Sequence, residues 1–98
     1  MLNNKLYVIT RDDLTKSQQA VQAGHALAEF CLESGAITLS KWGNGVLVYL
    51  KVSNLDELQK LQKEVGNTFP FYEPDINMET TAFARLGNHS LFEDLELL

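Results

Sequence analysis

Apolar residues along this chain recur with two spacings. One is the alternation of a strand and the other the three-to-four-residue beat of a helix, and the switches between them set out the elements. Leu6 to Thr10 sets Leu6, Val8 and Thr10 against Tyr7 and Ile9. Both sets are largely apolar, which predicts a strand buried on both faces, inside a sheet. A charged turn follows, Arg11-Asp12-Asp13-Leu14, and a helix is expected from near Thr15. Thr15 and Gln18 fit a capping box, in which each side chain satisfies a free amide of the first turn; Ser17 is the rival cap. At helical spacing Ala20, Ala23, Gly24, Leu27 and Cys31 make one apolar stripe, with Phe30 at its margin. Gln18, Gln22, His25, Glu29 and Glu33 fall opposite, and Gly35 suits the position just past the helix end.

Ile37 to Trp42 reads either as a short helical turn or as irregular chain, and Gly43-Asn44-Gly45 is a turn signal. Val46 to Val52 is the clearest strand. Asn54 with Glu57 again has the form of a capping box, opening an amphipathic helix with Leu55, Leu58, Leu61, Gln62 and Val65 at helical spacing and Gly66 as its stop. Thr68 to Tyr72 reads as a short strand that Pro70 confines to an edge or to strand starts. Glu73 to Glu79 is a polar turn, Thr80 to Leu86 a last strand, and Gly87-Asn88 a break. Leu91 to Leu98 is an acidic, apolar tail, helix or strand, that packs back on the body. The predicted order is β-α-β-α-β-β plus this tail: one α/β domain over residues 1–98, of three-layer type, with a mixed four-stranded sheet. The first two strands are expected to be parallel, with a right-handed crossover.

Composition narrows the class. With 98 residues, 45% hydrophobic and 21% charged, the chain suits one folded domain with one modest core. The longest apolar runs are far short of a membrane span, and Met1 to Lys5 lacks the look of a signal peptide, so a cytosolic location is expected. A lone cysteine, Cys31, rules out an internal disulfide and a cysteine-built metal site, and on the helix stripe it reads as a small core residue. The two histidines, His25 and His89, are far apart with no paired carboxylates at ligand spacing. No phosphate-binding glycine loop and no nucleophile elbow is present. Neither cofactor nor metal is expected. A net charge of −5 argues against avid non-specific binding to nucleic acid.

Two stretches carry a family likeness. Tyr7-Val8-Ile9-x-Arg11-Asp12-Asp13-Leu14 followed by Ala20-Val21-Gln22-Ala23-Gly24-His25-Ala26 resembles the type-2 peptidyl-tRNA hydrolase family, whose first strand ends in an R-x-D-L turn ahead of a helix with a Q-x-x-H-A run. Trp42 before a glycine turn, the V-L-V strand, and Asp75 leading to Thr81-Ala82-Phe83-Ala84 extend the resemblance to about residues 5–87. It implies hydrolysis of the ester between peptide and tRNA. Asp75 would orient or activate water, Thr81 would position it, and Lys16, Gln22 and helix-start amides would receive the oxyanion or a phosphate. His25 is read as a packed structural residue, Arg11 with Asp12 and Asp13 as a turn network, and Arg85 as a phosphate contact or a solvated side chain. The resemblance also implies a homodimer, which the C-terminal tail would seed if it does not close the core.

The chain departs from the family pattern in a shorter loop, Thr15-Lys16-Ser17, in an acidic turn without glycine, and in its acidic balance. These departures support a rival reading, a catalytically inactive relative that binds a partner or small ligand through the same cleft. Where Lys5, Lys16, Lys41, Lys51, Arg11 and Arg85 fall separates the two: a ring around Asp75 and Gln22 favours tRNA, a scatter favours the silent relative. A regulatory small-molecule domain of β-α-β-β-α-β type is a third reading, and the late β-β pair argues against it.

Overall fold

The computed structural model describes residues 4–98. Residues 1–3, on which part of the signal-peptide reading falls, lie outside them. The elements are β1 (Leu6–Arg11), α1 (Lys16–Glu33), α2 (Ala36–Trp42), β2 (Leu47–Val52), α3 (Leu55–Val65), β3 (Phe69–Glu73), β4 (Glu79–Leu86) and β5 (Glu96–Leu97). Single 3-10 turns occupy Pro74–Ile76 and Ser90–Phe92. The class is α/β with a mixed sheet, as the pattern predicts. The expected four strands are corrected to five, because the tail ends as β5, and a further helix, α2, stands between α1 and β2.

The sheet order is β3-β4-β1-β2-β5. β1 and β2 are parallel, while the β1–β4, β3–β4 and β2–β5 pairs are antiparallel. β1 is buried along its whole length, which accounts for its two apolar faces. β3 is an edge strand, where Pro70 costs no ladder bond on the open side.

Helices cover both faces, so the layers are α/β/α. On one side Leu6, Val8, Ala82 and Ala84 meet Ala23, Ala26 and Phe30 of α1 and Trp42 of α2. On the other, Tyr7, Ile9, Leu50 and Phe83 meet Leu58, Leu61 and Val65 of α3, with Phe92 from the tail. The expected packing of the tail is realised by Phe92, whose ring lies 5.1 Å from that of Tyr7.

α1 begins at the capping box, with Gln18 N donating to Thr15 Oγ1 and Thr15 N donating to Gln18 Oε1. Asn54 caps α3 by accepting from Glu57 N. The buried face of α1 is not the expected stripe. Gln19, Gln22, Ala23, Ala26 and Phe30 are buried, whereas Ala20, Gly24 and Cys31 are exposed. The reason is what α1 lies over. Its first half crosses the polar end of the sheet, where buried hydroxyls of Thr10 and Thr81 need partners, so glutamines go inward. Its second half crosses the apolar end, where Phe30 meets Trp42 and Phe69 edge-on at 5.9 and 5.4 Å. Cys31 is therefore a surface thiol and not a core residue.

Candidate functional site

Among the described residues, the buried polar ones are Thr10, Arg11, Gln19, Gln22, Thr80 and Thr81. All belong to the carboxyl end of β1, the first half of α1, and the start of β4. Concentrated polar burial at the carboxyl end of a parallel strand is where α/β proteins build sites.

Thr81 reaches α1 because β4 is bulged there. Phe71 of β3 pairs with Ala82 and Tyr72 with Thr80, leaving Thr81 without an opposite residue. An extra residue in one strand shifts the alternation of side chains. Thr81 Oγ1 thus donates to Gln22 Oε1, although Ala82 also packs on the α1 side. Gln22 Nε2 donates in turn to Glu73 Oε1 at 2.7 Å, and Glu73 Oε2 accepts from Asp75 N at 3.2 Å. The result is a chain Thr81–Gln22–Glu73–Asp75 joining β4, α1 and the end of β3. Hydrogen bonds from Gln22 first, and from the Asp75 amide, hold the Glu73 carboxyl below its ordinary range, with a smaller contribution from His25.

Of the predicted site residues, Gln22 and Thr81 are in direct contact. Asp75 joins through its backbone amide, and its residue is exposed. Lys16 is the first residue of α1 and exposed, and its ammonium makes no ion pair among the described residues. Six residues before Gln22, it stands about 120° round the helix axis from it. The residue that sequence reading missed is Glu73. Its signal was the alternation Phe69-Phe71-Glu73, since Phe69 and Phe71 both pack on the α1 side.

A second polar group adjoins the first. Arg11 is 7% exposed and forks onto Asp13, Nε to Oδ1 at 2.8 Å and Nη2 to Oδ2 at 2.9 Å. Its Nη1 reaches Glu79 Oε1 at 2.7 Å and the Thr80 carbonyl at 3.2 Å. These contacts raise the Arg11 pKa and lower that of Asp13, the Asp13–Arg11 hydrogen bonds contributing most. The expected turn network is therefore a clamp between β1 and the start of β4. Gln19 ties the turn to α1, accepting from Thr10 Oγ1 and donating to Asp12 Oδ1 and the Leu14 carbonyl.

The cations do not ring the chain of contacts. Arg11 is committed to Asp13 and Glu79. Lys51 Nζ lies 3.5 Å from Asp12 Oδ1. Arg85, at the far end of β4, binds the carbonyls of Gly66, Gly87 and Asn88. His25 stacks flat on Phe71, with ring centroids 4.3 Å apart and planes 9° apart, so it packs as expected while staying exposed. His89 accepts from Leu91 N and caps the last turn.

Among the described residues no group of three or more His, Cys, Asp or Glu is placed to hold a metal ion, and no helix is long and apolar enough to cross a membrane. No protein-family model matches the chain, and no curated protein matches its sequence.

Proposed function

We propose that the chain hydrolyses the ester linking peptide to tRNA, as the sequence resemblance implies, and that it acts in the cytosol, as its composition leads one to expect. The observation that carries this reading is the Thr81–Gln22–Glu73 chain of contacts. It joins the helix and strand segments that resemble the family's two half-sites, with Asp75 tied in through its amide. In this reading a carboxylate, Glu73 or Asp75, accepts a proton from water as the water oxygen attacks the ester carbonyl. The acyl carbon–oxygen bond to the ribose then breaks, and the proton passes to the leaving ribose oxygen, which becomes a hydroxyl. Thr81, fully buried and donating to Gln22, acts by orienting that side chain, and the Gln22 amide is offered to the carbonyl oxygen. Lys16, whose ammonium makes no ion pair among the described residues, is left for a phosphate of the tRNA. The family resemblance carries a homodimer with it.

The placement of Arg11, Lys51 and Arg85 favours a second reading, the inactive relative that binds through the same surface, because cations held in internal pairs add little to phosphate affinity. A single-turnover assay on peptidyl-tRNA at excess enzyme decides. The hydrolase reading expects release of peptide and free tRNA by the wild type, with large losses in Gln22→Ala and in Glu73→Gln or Asp75→Ala. No turnover by a folded wild type ends it and leaves the binding module.

A further inference from the structure

A flat ring beside the candidate site is open on one side. His25 lies on α1 three residues after Gln22, and Phe71 lies on β3 two residues before Glu73. Positions three apart on a helix are surface neighbours, about 5–6 Å between Cβ atoms. Positions two apart on a strand share a face. The two elements therefore meet in two neighbouring pairs. Gln22 Nε2 donates to Glu73 Oε1 at 2.7 Å. One step along, the His25 imidazole lies flat on the Phe71 ring, with centroids 4.3 Å and planes 9° apart. After the hydrogen bonds from Gln22 and the Asp75 amide, His25 also helps to hold the Glu73 carboxyl below its ordinary range, which puts the imidazole beside that carboxylate. His25 stays exposed, so the ring face turned away from Phe71 meets solvent.

We propose that the open face of His25 is the platform on which the terminal adenine of the tRNA stacks, an inference that takes its ligand from the hydrolase reading. In peptidyl-tRNA the ester oxygen belongs to the ribose of the terminal adenosine. One sugar therefore separates the scissile bond from the base, and one step separates the Gln22–Glu73 pair from the His25–Phe71 pair. An ester carbonyl held at Gln22 leaves its own base over the imidazole. Phe71 already fixes the plane of that ring, so little side-chain freedom is lost when a base lands on it. Stacking uses the face of the base and needs no positive charge. It suits a chain of net charge −5 whose Arg11 and Arg85 are held by internal acceptors, where phosphate contacts contribute little. His25 touches the base and no reacting atom. Its part is to bind the nucleotide and so position the ester, and it moves no proton.

The probe is a 3′-amide mimic of the peptidyl-adenosine ester, which resists hydrolysis, carrying 2-aminopurine in place of adenine. An abasic mimic, read by competition, is its control. Stacking on an aromatic ring quenches 2-aminopurine fluorescence. The wild type is expected to bind with quenching and to prefer the base-bearing mimic by about tenfold or more. His25→Ala should erase both the quenching and the preference, and His25→Phe should keep them. Circular dichroism checks each fold. If His25→Ala does not fold, His25→Leu, which covers Phe71 without a flat ring, replaces it. Binding is read apart from turnover, so the two readings fail separately. Quenching that depends on a ring at residue 25 upholds the platform even in a wild type that cleaves no ester. A wild type that hydrolyses peptidyl-tRNA yet binds the two mimics equally overturns the platform and leaves the hydrolase. A preference for the base that survives in His25→Ala, or a wild type that binds neither mimic, overturns it too.

Discussion

Thr81 and Ala82 are neighbours in the chain, yet both face α1: Thr81 bonds to Gln22, and Ala82 packs beside Ala23 and Ala26. A regular strand would send one of them to the α3 side. The bulge opposite Phe71 and Tyr72 removes that alternation and brings a hydroxyl under a buried glutamine.

The first prediction follows from that contact. Thr81→Val keeps the shape and leaves Gln22 Oε1 with no donor, so it should cost about 1–3 kcal/mol, the penalty for an orphaned buried acceptor. Gln22→Leu should cost a similar amount by orphaning the threonine hydroxyl. The double substitution should cost less than the sum, with a coupling of about 0.5–3 kcal/mol. Urea unfolding of the four proteins measures it, and strict additivity would contradict the contact.

Arg11 is the second case. Its guanidinium holds Asp13 by two bonds and Glu79 by a third, a geometry that an ammonium does not reproduce. Arg11→Lys should destabilise the fold by about 1.5–3 kcal/mol, the range for a hydrogen bond to a charged group. Asp13→Asn should cost less, under about 1 kcal/mol, because the Asp13 side chain is 39% exposed and water screens it. Denaturant midpoints decide, and equal costs for the two would show that the fork does not matter.

Acid stability gives the third. Glu73 and Asp13 both have pKa values lowered in the fold, from ordinary values of 4.5 and 3.8. A lowered pKa means that the folded state holds the carboxylate better than the unfolded state does. The stabilisation is complete above the unfolded value and is lost as pH falls through the folded one. Unfolding free energy should therefore be flat with respect to these groups near neutrality and fall from about pH 4.5 downward. Glu73→Gln should remove the upper part of that fall and Asp13→Asn the lower part. Denaturant titrations at stepped pH read both, and an unchanged slope in either variant refutes its assignment.

The strands were legible because their signals are local. Val46 to Val52 and Leu6 to Thr10 carry their own patterns, as do the caps at Thr15 and Asn54. β5 was not legible, since two residues pairing with Leu50 and Lys51 leave no periodicity. The buried face of α1 was misread because hydrophobicity alone places glutamine outside. Gln19 and Gln22 are inside only because Thr10 and Thr81 are beneath them, a fact of tertiary contact. In the candidate site, Gln22 and Thr81 were legible through the family resemblance. Glu73 was hidden because a strand ending at Tyr72 assigned it to the turn, and the bulge that aims Thr81 has no sequence signature.

Two glycines give the last prediction, with opposite signs. Gly24 lies inside α1 at ordinary helical backbone, and a Cβ there meets nothing within 4 Å. Alanine lowers the entropy of the unfolded chain and suits a helix interior, so Gly24→Ala should stabilise by about 0.5–1 kcal/mol. Gly45 is the reverse. Its Cβ would stand 2.9 Å from the Trp42 carbonyl oxygen, to which the Gly45 amide itself bonds at 2.9 Å. The same turn carries the Trp42 Nε1 bond to the Val46 carbonyl, also 2.9 Å, which fixes the indole against Phe30. Relief of the clash must move backbone rather than a side chain, and the indole moves with it. Gly45→Ala should therefore lower thermal stability and shift the tryptophan fluorescence, whereas Gly24→Ala raises the melting temperature with the fluorescence unchanged. Were Gly45→Ala neutral by both measures, the tight turn would not be what seats Trp42.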